Sequence, residues 1–128
     1  MPAFETPEEL KKVLSKMAEL IQSDAALIQA SKGKRLIINY EFPDLEVFFH
    51  TKFLDGQVEA GLGELEDADI QLTMDSDVFD GMFTGKVNPA KAAMKGDLAF
   101  SGNVASAMRL QGLMSDFQRI YLKARGEV

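Results

Sequence analysis

The 128 residues predict an α+β fold: a five-stranded, mixed but mostly antiparallel sheet covered on one face by helices. Three observations carry it. Apolar residues recur at helical spacing up to Gly33 and then alternate with a period of two from Arg35 to Leu62. From Ile70 to Ser101 the pattern is strand, helix, helix, strand, with almost no linker. After Asn103 it is helical again. Helices gathered at the two ends of a strand meander cover one face of its sheet. At this length and 46% hydrophobic, the chain supports one core, so residues 1–128 are expected to form one domain.

Thr6-Pro7-Glu8-Glu9 is a capping-box pattern, with Thr6 as N-cap, Pro7 at the first helical position and Glu9 reaching back to the Thr6 amide. Leu10, Val13, Leu14, Met17, Leu20 and Ile21 then form an apolar stripe, while the opposite face mixes charges of both signs. That mixture suits a helix docked on a sheet better than one lying on a membrane. Ser23 or Asp24 caps a shorter helix carrying Leu27, Ile28 and Ala30, which Gly33 ends. Leu36, Ile38, Tyr40 and Phe42 share one face of the first strand, and Val47, Phe49, Thr51 and Phe53 one face of the second. Asp55-Gly56 suits the positive backbone angles of a type I′ hairpin turn into a third strand with Val58, Ala60 and Leu62 inward.

Ile70, Leu72 and Met74 alternate with polar residues in a fourth strand, and Asp75 offers an N-cap carboxylate to a helix carrying Val78, Phe79, Met82 and Phe83. Gly85 closes that helix, Asn88-Pro89 opens another, and Gly96 stops it. Leu98 and Phe100 lie on one face of a fifth strand, which is expected to pair in parallel with the strand near Ile70 through a right-handed crossover. Gly102-Asn103 caps a final helix with Val104, Ala107, Met108, Gln111 and Met114 as one stripe. Ser115-Asp116 either caps a separate helix or sits within one rod; Phe117, Ile120, Tyr121 and Ala124 form a stripe in both cases. Arg119, Lys123 and Arg125 fit dipole compensation at a helix C-terminus better than a headgroup-binding patch.

Several classes of chemistry are disfavoured. Without cysteine there is no disulfide, thiolate nucleophile or cysteine-bound metal. A net charge of -6 argues against nucleic acid as a partner. His50 is the sole histidine and has no accompanying motif, so catalytic triads and two-histidine metal sites find no support, and neither a catalytic residue nor a metal or cofactor is expected. The acidic run Glu64, Glu66, Asp67, Asp69 lacks calcium-loop spacing and reads as a solvated connection. No apolar run is long enough to span a membrane, Met1 to Leu10 does not resemble a signal peptide, and Gly126-Glu127-Val128 is not a peroxisomal address. The expected location is the cytoplasm.

Met74, Met82, Met94, Met108 and Met114 occupy apolar positions around what is expected to be one interior, beside Phe79, Phe83, Phe100 and Phe117. Methionine suits an adaptable cavity but equally fills an irregular core. Gln111 stands out as an amide on an apolar stripe, where it would bond backbone, cap a neighbouring segment or meet a ligand headgroup.

The run from Asp67 to Asn103, with its strand-then-Asp75 entry, Thr84-Gly85-Lys86 before Asn88-Pro89, Lys95-Gly96-Asp97-Leu98 and downstream Leu110-Gln111, resembles the sterol carrier protein 2 lipid-binding domain family. The N-terminal half resembles it in element pattern alone. The resemblance implies an apolar tunnel between sheet and helices, lined by Phe79, Met82, Phe83, Met94, Phe100, Met108, Gln111, Met114, Phe117 and Tyr121, with the matching glutamine near its mouth. It implies a noncatalytic carrier of fatty acids, fatty acyl-CoA or sterol-like lipids. Transient membrane contact and association with a lipid-metabolising enzyme are the accompanying partner expectations. The alternative is an interaction or regulatory module of such an enzyme.

Overall fold

The computed structural model describes residues 3–127. Met1, Pro2 and Val128, which enter the readings on a leader and a C-terminal address, lie outside the described residues. Helix α1 spans Pro7–Ser23 with Thr6 as its cap, the hydroxyl accepting from the Glu9 amide at 3.2 Å. The Glu9 carboxylate reaches back one residue further than expected, to the Glu5 amide at 3.3 Å. Helix α2, Ala25–Ser31, is capped by Asp24, whose carboxylate accepts from the Leu27 amide at 3.0 Å. Ser23 instead turns its hydroxyl onto the Glu19 carbonyl.

Strands β1 (Arg35–Phe42), β2 (Val47–Leu54) and β3 (Gln57–Leu62) form the antiparallel meander. Asp55 and Gly56 have φ of 46° and 85°, the backbone a type I′ turn requires. Strands β4 (Ile70–Met74) and β5 (Leu98–Gly102) complete a sheet of order β3-β2-β1-β4-β5. Among the described residues its single parallel pair is β1 with β4, whereas β4 and β5 are antiparallel, with Met74 opposite Leu98. The expected parallel pairing of these last two strands is therefore corrected. Two short helices, α3 (Ser76–Phe83) and α4 (Pro89–Lys95), carry the chain out and back to the end of β4 that it left. Both the Lys86 and the Val87 amides bond the Gly81 carbonyl, and a Cβ at Gly81 would collide with the Val87 side chain.

A second correction concerns the start of α3. Asp75 makes no side-chain cap bond; the Ser76 amide and hydroxyl both donate to Asp44, at 2.9 and 2.6 Å. Because β4 runs parallel to β1, the connection leaving β1 lies beside the start of α3, and Asp44 supplies the cap from there. Helix α5 is one rod, Val104–Glu127, so Ser115 breaks nothing, and Asn103 caps it by accepting from the Ser106 amide at 2.7 Å.

The core lies between the helices and the inward sheet face. Its centre is aromatic: Phe79 stands 4.4 Å from Phe83 and 5.2 Å from Tyr121 between ring centroids, and Phe83 stacks on Phe117 at 6.0 Å. On the opposite sheet face the connection from Gly63 to Asp69 keeps Glu64, Glu66 and Asp67 exposed while its backbone is tied to the sheet. Asn39 exchanges bonds with the Leu65 backbone at 2.7 and 2.9 Å, and Ile37 and Asn39 are buried. Gly102 fits beside this segment because a Cβ there would sit 2.6 Å from the Asp69 carbonyl oxygen.

Candidate functional site

The phase of α5 decides where a site can form. Phe117, Ile120, Tyr121 and Ala124 are buried and fix which face of the rod meets the core. Since the helix is unbroken, that phase carries back to the partly buried Leu113 and Leu110 and to the buried Ser106. Met108 lies about two and a half turns before Phe117 and therefore faces the opposite way. Val104 and Met108 are 76% and 66% exposed, and Gln111 is also exposed. The stripe expected from Val104 to Gln111 is thus not the buried one. Its amide needs no buried partner.

Along one flank of α5 runs a cleft of about 350 Å³, near the lower end of the range for small-molecule sites. Leu27, Ala30 and Ser31 of α2 form one wall, and Leu36 and Phe53 of β1 and β2 form the floor. Met108, Arg109, Gly112 and Leu113 of α5 close the other side, and Lys34 stands before β1. Gly112 widens this wall: a Cβ built on it meets nothing within 4 Å. Where the resemblance implies an enclosed tunnel, the feature observed is this cleft.

The expected lining residues divide between the core and the surface. Phe79, Met82, Phe83, Phe117 and Tyr121 are buried in the aromatic core, packed on one another and on the sheet. Met114 packs against that core at its edge. Met94 and Phe100 are 87% and 42% exposed, because β5 is an edge strand and α4 projects Met94 outward. Met108 alone among them lines the cleft. The single interior expected to gather Met94 and Met108 with Met74 and Met82 is not formed: the first two lie outside, the second two inside. Sequence reasoning missed Leu27, Ala30, Ser31, Lys34, Arg109 and Gly112 as neighbours. A mid-helix glycine at Gly112, serving no turn, was the one available signal.

Charge around the cleft is unevenly paired. Arg119 clamps Asp24 bidentately at 2.9 and 3.0 Å and also meets Asp116, so it ties α5 to the cap of α2 rather than compensating the helix dipole. The Arg119 guanidinium holds the Asp24 carboxyl below its ordinary range, against the opposing effect of burial. Arg35 is engaged by Asp69 at 3.3 Å. Among the described residues, by contrast, neither Lys34 nor Arg109 has a carboxylate within 4.0 Å; Arg109 donates to the Arg35 carbonyl at 3.0 Å. Burial, and then its bond to Asp80 at 2.6 Å, push the Tyr121 hydroxyl well above the usual phenol range, keeping it a proton donor inside the core. His50 lies outside this region, with Nδ1 3.0 Å from the Gly63 carbonyl oxygen.

A model described as the SCP-2 sterol transfer family matches residues 11–115. The chain belongs to that family. Its fold is similar to the solution structure of the sterol carrier protein domain 2 of Helicoverpa armigera, at TM-score 0.65 and 23% identity, covering 92% of this chain and 94% of that one. Hydroxysteroid dehydrogenase-like protein 2 of Homo sapiens is 42% identical over 69 residues, 53% of this chain. The matched segment spans 16% of the human protein's length. A fatty acid-binding protein of Yarrowia lipolytica is 40% identical over 52 residues, which is 41% of this chain and 40% of that protein. No helix among the described residues is long and apolar enough to cross a membrane.

Proposed function

We propose that this SCP-2 family chain is a noncatalytic lipid-binding domain that receives an acyl chain in the cleft between α2, the start of the sheet and α5. The observation carrying this reading is the apolar wall of Leu27, Leu36, Phe53 and Leu113 around a volume that the surrounding side chains leave unfilled. Each methylene removed from water contributes about 0.8 kcal/mol. Association and ordering of the chain oppose this by several kcal/mol. Affinity therefore rises with chain length until the cleft is full and then levels off. The relation to a fatty acid-binding protein supports the same ligand class.

Titration of delipidated protein with a graded series of fatty acids, together with native mass spectrometry of gently purified protein, tests this. The expected result is one lipid per chain and micromolar affinity that climbs with length. Absence of binding at every length overturns it.

A second reading is favoured by the relation to hydroxysteroid dehydrogenase-like protein 2, in which the matching segment is a small part of a larger protein. There the domain would serve a lipid-metabolising enzyme, presenting or sensing its substrate. Lipid-free protein that binds no acyl chain yet forms a defined complex with such a dehydrogenase supports this module and excludes the independent carrier.

A further inference from the structure

We infer that the cleft is selective for an anionic headgroup, carboxylate or phosphate, held at its mouth between Lys34 and Arg109; this rests on the lipid-binding reading above. The chain carries 20 acidic residues against 14 lysines and arginines, and among the described residues Lys16, Arg35, Arg119 and Arg125 are the cations with a carboxylate within 4.0 Å. Arg35 and Arg119, two basic neighbours of this region, each have two within 4.0 Å. The two cations lining the cleft have none within 4.0 Å among the described residues. They stand on separate elements on the same apolar cleft, Lys34 before β1 and Arg109 on α5. Arg109 is also oriented, since one guanidinium nitrogen donates to the Arg35 carbonyl at 3.0 Å and leaves its remaining donors free.

An amphiphile meets these surfaces in one sensible orientation. Its chain lies against Leu36 and Phe53, both 2% exposed, and its head stays between the exposed cations. Ser31 adds little polarity to the floor, because its hydroxyl already donates to the Ile28 carbonyl at 2.8 Å and accepts from the Gly56 amide at 3.1 Å. Polar recognition is thereby concentrated on the two charges. A head that remains in water leaves room for a bulky anionic substituent as readily as for a bare carboxylate.

The experiment compares dodecanoic acid, dodecyl phosphate and dodecanol, the anions below their micelle concentrations and the alcohol below its solubility limit, on wild-type protein and on Lys34→Gln, Arg109→Gln and the double variant. Wild type is expected to bind both anions about tenfold more tightly than the alcohol, a modest figure because the charges are solvent-exposed. The preference should shrink as salt is added, since screening acts on exposed charges. Each single variant loses part of the preference, and the double variant binds acid and alcohol equally. Retention of the phosphate over the carboxylate, or the reverse, identifies which anion the pair fits. Equal binding of acid and alcohol to wild type overturns the headgroup inference and leaves the lipid-binding reading standing. Failure of all three ligands to bind overturns the lipid-binding reading itself. Arg109→Lys keeps the charge and must restore the preference; if the anion preference follows the melting temperature of the variants instead, Arg109 acts through its backbone bond alone.

Discussion

The two halves of α5 share one helix and opposite circumstances. From Phe117 to Ala124 the rod is clamped: Phe117, Ile120, Tyr121 and Ala124 are buried, Tyr121 bonds Asp80, and Arg119 fastens Asp24. From Val104 to Gly112 it stands against the fold by Ser106, Leu110 and the Arg109 bond to the Arg35 carbonyl, with Val104 and Met108 exposed. Since no break separates them, the tightly packed half dictates the rotation of the loosely packed one. The helix thus behaves as a cantilever whose anchored end holds the wall of the cleft in position. Stability and ligand binding should accordingly separate along its length.

The largest effect is expected at the anchor. Phe117 packs on both Phe53 and Phe83 at ring-centroid distances of 5.9 and 6.0 Å. Phe117→Ala should cost about 3 to 5 kcal/mol through lost burial and the cavity left behind. Met108→Ala, in the other half, should stay within about 0.5 kcal/mol, as befits an exposed side chain. Chemical denaturation of the two variants measures the contrast directly. Comparable losses would mean that Met108 is buried in solution and that the two halves do not differ.

The next effect sharpens the comparison through pH. Asp24 both caps α2 and receives Arg119, so Asp24→Ala should cost about 2 kcal/mol. Asp24→Asn keeps an oxygen for the cap and loses the charge. Because Arg119 lowers the Asp24 pKa from its ordinary 3.8, the ion pair contributes stability that is complete above that value and is lost as pH falls through the lower folded value. The stability difference between wild type and Asp24→Asn should therefore be full near neutrality and fade only below about pH 4. A difference independent of pH down to strong acid would assign the effect to the cap alone.

How far the sequence could be read follows the same division. Local patterns were legible wherever one residue type answered one backbone demand: Thr6 before α1, Asp55-Gly56 in the hairpin, Asn88-Pro89 before α4 and the two-residue period of β1 and β2. The C-terminal stripe of α5 was legible too, and Phe117 to Ala124 are buried as their spacing demands. What failed depended on distant partners. Asp75 had the chemistry of a cap, but Asp44 arrived from another connection. The strand of Leu98 was expected to pair in parallel, but α3 and α4 together return the chain to the end of β4 that it left, and the pair is antiparallel. The stripe from Val104 to Gln111 had helical spacing too, yet its rotation was set further down the rod. Lys34 and Gly112 meet only after the sheet and α5 have packed, so no local pattern could join them.

The smallest effect on stability is the most informative about function. Gly112 sits in the interior of α5, where glycine is about 1 kcal/mol less favourable than alanine. A Cβ there meets no atom within 4 Å. Gly112→Ala should therefore stabilise the protein by up to about that amount and narrow the cleft slightly. Gly112→Leu should keep the fold, since leucine is also a good helix former, while its side chain projects into the space an acyl chain would take. The expected outcome is an unchanged or higher melting temperature with lipid uptake strongly reduced. A charge at Met108 would confound lost binding with electrostatics; leucine at Gly112 adds volume without charge. If Gly112→Leu binds fatty acid like wild type, the chain must enter elsewhere, and the candidate is the region where Phe79, Met82, Phe83 and Phe117 now pack. Entry there would require those rings to separate, which a ligand-dependent change in their aromatic chemical shifts would reveal. Loss of uptake with those shifts unmoved in wild type keeps the ligand in the cleft, beside the cantilevered half of the helix.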